Sequence, residues 1–189
     1  MSQEIEIEFK NLLQHREFTQ LCKHFDVKKE DFTLQHNHYF DTPSFMLKKK
    51  GCALRIREKN NRRTLTLKQP HPDGLLETHQ ALTEQETAAA MADSSFPDGA
   101  VTKVLYEMDV PSASLNFLGT LSTQRAEVPH ENGLVVLDHS FYLETEDFEL
   151  EYESQERSRG EKTFHELLAA FQIPKRETDN KIRRFFAQK

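Results

Sequence analysis

Charged and apolar residues alternate one by one in several short stretches of this chain. Glu6-Ile7-Glu8-Phe9-Lys10 shows the pattern first, and Glu4 and Ile5 extend it toward the N-terminus. Leu54-Arg55-Ile56-Arg57, Thr64-Leu65-Thr66-Leu67-Lys68 and Asp147-Phe148-Glu149-Leu150-Glu151-Tyr152-Glu153 repeat it. A period of two belongs to a β-strand, whose successive side chains point to opposite faces of the sheet. Each of these strands therefore has one apolar face and one ionic face, and the ionic faces together carry both signs.

Turn residues divide the chain into about eight strands. They lie near residues 3–10, 36–40, 53–57, 64–68, 75–81, 118–128, 133–143 and 147–154. Asp41-Thr42-Pro43 ends the second, Asn60 to Arg63 reads as a hairpin turn, and Pro70, Pro72 and Gly74 break the chain before the fifth. Helices are expected after Asn11 as an N-cap, from the Thr83-x-x-Glu86 capping box to Ala92, over 99–107, over Gly160–Phe171 ahead of Pro174, and from about Asp179. Phe18, Leu21 and Phe25 form an apolar stripe on the first, and Phe164, Leu167, Leu168 and Phe171 on the fourth. In the last, Ile182, Phe185 and Phe186 would turn inward. An antiparallel sheet of this many strands curls and loses its exposed edges by closing. The expected fold is α+β: a closed antiparallel eight-stranded barrel with helices packed outside it. A chain of 189 residues fits a single domain over 1–189.

Two orientations of the barrel are open. If the ionic faces look outward, the interior is an ordinary core of Ile, Leu and Phe. If they look inward, the apolar faces need cover, and the amphipathic helices supply it. Those helix stripes must pack on something, which favours the inward arrangement. Crowded inward carboxylates repel one another and raise one another's pKa, so water, divalent cations and a bound polyanion would have to compensate them. Arg binds phosphate through two parallel hydrogen bonds, and Glu is a hard oxygen ligand for Mg2+ or Mn2+.

The ordered series of motifs resembles the CYTH superfamily, the triphosphate tunnel metalloenzymes. The Glu6-Ile7-Glu8-Phe9-Lys10 strand stands where the family has Glu-x-Glu-x-Lys. Tyr39-Phe40-Asp41-Thr42, Leu54-Arg55-Ile56-Arg57, Lys68, Glu77, Arg125, Leu137-Asp138 with Tyr142, Glu149-Leu150-Glu151, Lys181 and Arg184 follow in the family's order. The match spans nearly the whole chain and is similar to the small bacterial single-domain members of the YjbK type. It implies an eight-stranded tunnel that binds a triphosphate group with Mg2+ or Mn2+. Lys10, Arg55, Arg57, Lys68, Arg125, Lys181 and Arg184 would hold phosphate. Glu6, Glu8, Glu149 and Glu151 would hold metal, with Glu153 an alternative on the same face and Asp138 a further acid; Glu77 would be another tunnel residue. Catalysis would rest on Glu149, Glu151 and Lys10. The family contains triphosphatases acting on inorganic, thiamine and RNA 5′-triphosphates, and class IV adenylyl cyclases. The leading expectation is hydrolysis of a triphosphate moiety. The alternatives are cyclisation of ATP to cyclic AMP and a non-catalytic polyphosphate-binding module. His79 stands where some members have a second acid after Glu77, which would make that wall less acidic here.

A net charge of −6 argues against a general nucleic-acid binder, and no duplex partner is expected. No apolar run approaches membrane-spanning length, the acidic N-terminus is no signal peptide, and Cys22 and Cys52 read as reduced packing residues; a cytoplasmic location follows. The expected partner is a small triphosphate-containing ligand, with the protein a monomer or homodimer. His36 and His38 read as partly wet strand residues rather than metal ligands, and Lys48-Lys49-Lys50 as an exposed loop. With fourteen Phe and no Trp, the core bulk must come from Phe and Leu.

Overall fold

The computed structural model describes residues 2–187; the side chains of Ser2 and Phe186 lie outside the described atoms. Eight strands close into one antiparallel barrel in the order β1-β5-β4-β3-β2-β6-β7-β8. They are β1 (Ser2–Leu13), β2 (Thr33–Asp41), β3 (Ala53–Lys59), β4 (Arg62–His71), β5 (Gly74–Leu82), β6 (Asn116–His130), β7 (Gly133–Tyr142) and β8 (Thr145–Ser154). Among the described residues six α-helices accompany them: α1 (His15–His24), α2 (Met46–Lys49), α3 (Glu84–Asp93), α4 (Ala100–Glu107), α5 (Arg157–Ala170) and α6 (Lys181–Ala187). The chain packs as two compact units, one of residues 1–5 and 35–121 and the other of 6–34 and 122–189.

In the first unit, Leu54, Ile56, Leu65, Leu67 and Leu82 supply the apolar faces of β3, β4 and β5. They pack against Leu47 of α2, Ala90 of α3, and Val101 and Leu105 of α4. In the second unit, Val135, Leu137, Phe148, Leu150 and Tyr152 of β7 and β8 pack against Phe18 and Leu21 of α1 and Phe164, Leu167 and Leu168 of α5. The helices thus cover the apolar face of each half, and the ionic rows occupy the opposite face. Within each unit the ionic row is the face turned away from the helices, as the inward arrangement requires.

Several expected boundaries move. Asn11 does not cap a helix: it lies in β1, fully buried, and its Oδ1 accepts from the Arg176 backbone N–H at 2.6 Å while its Nδ2 donates to the Pro174 carbonyl. The strand runs on to Leu13, and Gln14 is the N-cap, its N–H donating to Glu17. Helix α5 begins three residues before Gly160, and α6 begins at Lys181 rather than Asp179; Phe185 of α6 is buried. The Lys48–Lys50 stretch is not a plain loop. Asp41 accepts backbone N–H bonds from Leu47 and Lys48 and so nucleates α2 there. The β3–β4 hairpin turns on Asn60 and Asn61 alone, both at positive φ as a primed two-residue turn requires, and Arg62 and Arg63 already belong to β4. His38 is buried rather than wet, held between Thr120 and Glu58.

The capping box is present as expected: Glu86 N–H donates to Thr83 Oγ1 at 3.2 Å and Thr83 N–H to Glu86 Oε2 at 2.7 Å. Thr83→Ala should therefore lower unfolding free energy by about 1 kcal/mol, and a urea titration reads it directly.

Candidate functional site

In the first unit the strand registers place Tyr39 opposite Arg55, Asn37 opposite Arg57, Thr66 opposite Arg55 and His79, and Lys68 opposite Glu77. All of these lie on the face away from the helices. Arg57 Nε donates to Asn37 Oδ1 at 3.1 Å. Lys68 Nζ pairs with Glu77 Oε1 at 2.5 Å. This row is net basic around Arg55, Arg57 and Lys68, with Glu77, His79 and Glu4 beside it. Asn37 was not expected as a site residue. The alternation of Gln35, Asn37, Tyr39 and Asp41 along β2 is the signal that would have found it.

In the second unit the alternation of β8 puts Glu149, Glu151 and Glu153 on the same face as Asp138 of β7 and Arg125 of β6. Glu8 and Lys10 of β1 lie opposite Glu153 and Glu151 in the adjoining strand. Arg125 is buried and forks onto Asp138, with Nε to Oδ1 at 2.8 Å and an Nη to Oδ2 at 2.6 Å. The same Nη reaches Glu151 at 2.6 Å. Glu153 stands 3.8 Å from Arg125, and Lys10 pairs with Glu8 at 2.5 Å. Glu6 lies near enough to Glu153 to raise its pKa.

Helix α6 completes this cluster. Lys181 Nζ sits 2.9 Å from Asp138, 2.7 Å from Glu149 and 2.5 Å from Glu151. Arg184 pairs with Asp147 at 2.9 Å and with Glu149 at 2.5 Å. Asp147, read in the sequence as part of this ionic face but given no site role, also accepts the Tyr142 hydroxyl hydrogen bond at 2.7 Å. The segment leading to α6 is tied down by Arg176, whose guanidinium forks onto Glu17 at 2.8 and 2.9 Å.

Burial and charge split the acids. Burial and the neighbouring Glu151 push Glu149 up to about 7, against Lys181 and Arg184. Burial also works to raise Glu151, but Lys181 and Arg125 outweigh it and hold that carboxyl well below the usual range. Burial, with Glu151, Glu6 and Glu8, pushes Glu153 up to about 7 despite Arg125. Lys10 and Lys181 lose by burial yet are raised by the carboxylates around them. Two carboxylates of the row, Glu149 and Glu153, are therefore raised on either side of Glu151, which is held ionised.

Three carboxylates around one ammonium mark a position that suits a cation, and their hard oxygens match Mg2+ or Mn2+. A second arrangement lies in the first unit. Glu4, Glu77 and His79 bring one ligand atom each within 4.8 Å of one another. Neither Glu4 nor His79 was expected to be a ligand.

The CYTH domain model matches residues 4–186. The chain belongs to the CYTH domain family. It is 49% identical over its full length to YjbK of Bacillus subtilis (strain 168), a protein that carries a provisional triphosphatase name, and covers 98% of it. A crystal structure from Bacillus halodurans, provisionally called an adenylate cyclase, matches with a TM-score of 0.95 at 48% identity. The match covers 98% of this chain and all of that one. HpAC1 from Hippeastrum, described as having a dominant triphosphatase activity, superposes with a TM-score of 0.79 at 24% identity over 98% and 96% of the two chains, which speaks for the CYTH fold. Among the described residues no helix is long and apolar enough to cross a membrane.

Proposed function

We propose that this CYTH protein hydrolyses a triphosphate moiety, inorganic or on an organic carrier, with Mg2+ or Mn2+. The observation that carries the reading is the cluster of Asp138, Glu149 and Glu151 around a single cationic point, in a family member half identical to a protein that carries a provisional triphosphatase name. In this reading Arg55, Arg57, Lys68, Arg125, Lys10, Lys181 and Arg184 neutralise and orient the phosphate chain. Glu6, Glu8, Asp138, Glu149, Glu151 and Glu153 are the candidates for holding the cation. A divalent ion held by these carboxylates supplies charge neutralisation at the phosphate oxygens. Glu149 takes a proton from the attacking water while the water oxygen bonds to the terminal phosphorus and the bridging P–O bond breaks toward the remaining diphosphate. Catalysis is then mostly positioning and charge stabilisation. The same reading takes residues 1–189 as one functional domain, working in the cytoplasm as a monomer or homodimer. Cys22 and Cys52, both free thiols, fit that reducing setting.

The test is phosphate release from tripolyphosphate by the purified protein with Mg2+ or Mn2+. Turnover should exceed that of Glu149→Gln by about a hundredfold or more, the usual scale for losing a positioned base. Release equal to that of the variant would reject the reading, and tight binding without turnover would leave a polyphosphate-binding module. A second reading, cyclisation of ATP, draws on the provisional cyclase name of the Bacillus halodurans relative. Cyclic AMP as the main product from ATP would establish it instead.

A further inference from the structure

We infer that Glu4, Glu77 and His79 form a separate metal site that selects a borderline transition ion such as Zn2+, Co2+ or Ni2+ over Mg2+. The site does not rest on the hydrolase reading, since none of its residues belongs to the Asp138–Glu149–Glu151 cluster.

The local sequence builds it. Glu77 and His79 are two apart on β5 and share a face. The β4–β5 register sets Thr66 opposite His79 and Lys68 opposite Glu77. Thr66 Oγ1 lies 2.9 Å from His79 Nδ1, which fixes the ring and turns Nε2 toward the carboxylates. Lys68 occupies Glu77 Oε1 and so turns Oε2 toward the imidazole. Glu4 comes from β1 and is 67% exposed along its side chain, giving an ion a route from solvent.

The distances around the imidazole fit a ligand set as well as an ion triad. His79 Nε2 stands 3.0 Å from Glu4 Oε1 and 3.2 Å from Glu77 Oε2. A single N–H on Nε2 makes a straight bond to one of these oxygens and leaves the other poorly aligned. One ion with bonds of about 2.0–2.2 Å to nitrogen and oxygen holds neighbouring ligands about 2.9–3.4 Å apart, which is the spacing seen at both oxygens. An imidazole in the set disfavours Mg2+, which demands oxygen, and favours the later first-row ions. The Thr66 contact is the outer-shell partner that such a histidine ligand normally has.

The experiment uses full-length protein and Co2+ as probe, in a large excess of Mg2+ that saturates oxygen-only sites. Equilibrium dialysis counts bound Co2+, and the visible ligand-field bands report its donors. One Co2+ per chain should be retained against Mg2+. His79→Ala should weaken it by more than about a hundredfold and Thr66→Val by roughly tenfold, while Glu149→Gln should leave it unchanged. Circular dichroism confirms that each variant is folded. Retention of Co2+ by folded His79→Ala with wild-type affinity, or its stoichiometric displacement by Mg2+, would overturn the inference.

Discussion

Lys181→Met should destabilise the protein by about 3–5 kcal/mol, the range for removing one partner from a buried ion cluster. The ammonium is the shared counter-ion of Asp138, Glu149 and Glu151, each essentially removed from solvent. Methionine fills the same volume and offers no charge, so the three carboxylates are left with Arg125, Arg184 and Lys10. The pH dependence fixes the cause. Without the ammonium the carboxyls bind protons more tightly folded than unfolded. A group raised in this way supports the fold fully below its unfolded pKa of about 4, and that support is lost as pH rises through the folded value. Glu149, already pushed up to about 7 by burial and Glu151, sets the upper part of the window. The deficit should therefore be larger near pH 8 than near pH 5, as measured by urea unfolding at both. A loss below about 1 kcal/mol at both pH values would mean that the cluster does not depend on α6 for its balance.

The second large effect falls on turnover rather than on stability. Arg57→Ala should lower kcat/KM for tripolyphosphate by about 10²–10³-fold, the cost of deleting one preorganised donor to a charged oxygen. The melting temperature should move by only a few degrees, because Arg57 lies on the face away from the helix-packed core and donates to the neutral Asn37. Arg57→Lys should recover only part of the loss, since an ammonium cannot reproduce the two-pronged contact. A drop of less than about threefold in Arg57→Ala would remove this strand from the substrate-holding set.

How far the sequence alone reaches depends on the kind of constraint. The faces of the strands were readable because a period of two survives any tertiary setting: Arg55 and Arg57 had to share one side, and Glu149, Glu151 and Glu153 another. The Thr83–Glu86 box was readable because both partners lie within four residues. What was not readable depends on contacts far along the chain. Asn11 is a favoured cap residue, yet its amide is used by Pro174 and Arg176, more than 160 residues away, and stays in a strand. Three lysines suggested a loop at 48–50, but the Asp41 carboxylate gathers the N–H groups there into a helical turn. The start of helix α5 at Arg157 was not readable because its first turn, Arg157 to Gly160, carries no apolar stripe. In the site, Arg125 with Asp138 could be suspected from type but not paired, because only the β6–β7 register brings them face to face. Glu4 and His79 were passed over for the same reason: their meeting depends on where β1 lies beside β5.

The pairing of β1 with β8 joins Lys10 to Glu151 and Ile7 to Ser154. A nascent chain leaving the ribosome therefore holds its first strand without that neighbour until about four-fifths of the polypeptide has been made. Loop-closure entropy for such a remote pair is paid late, so ring closure is expected as the slow step of maturation. Until then the strand's hydrogen-bonding edge is open, and this is the interval in which the newly made molecule is most exposed to association with others of its kind.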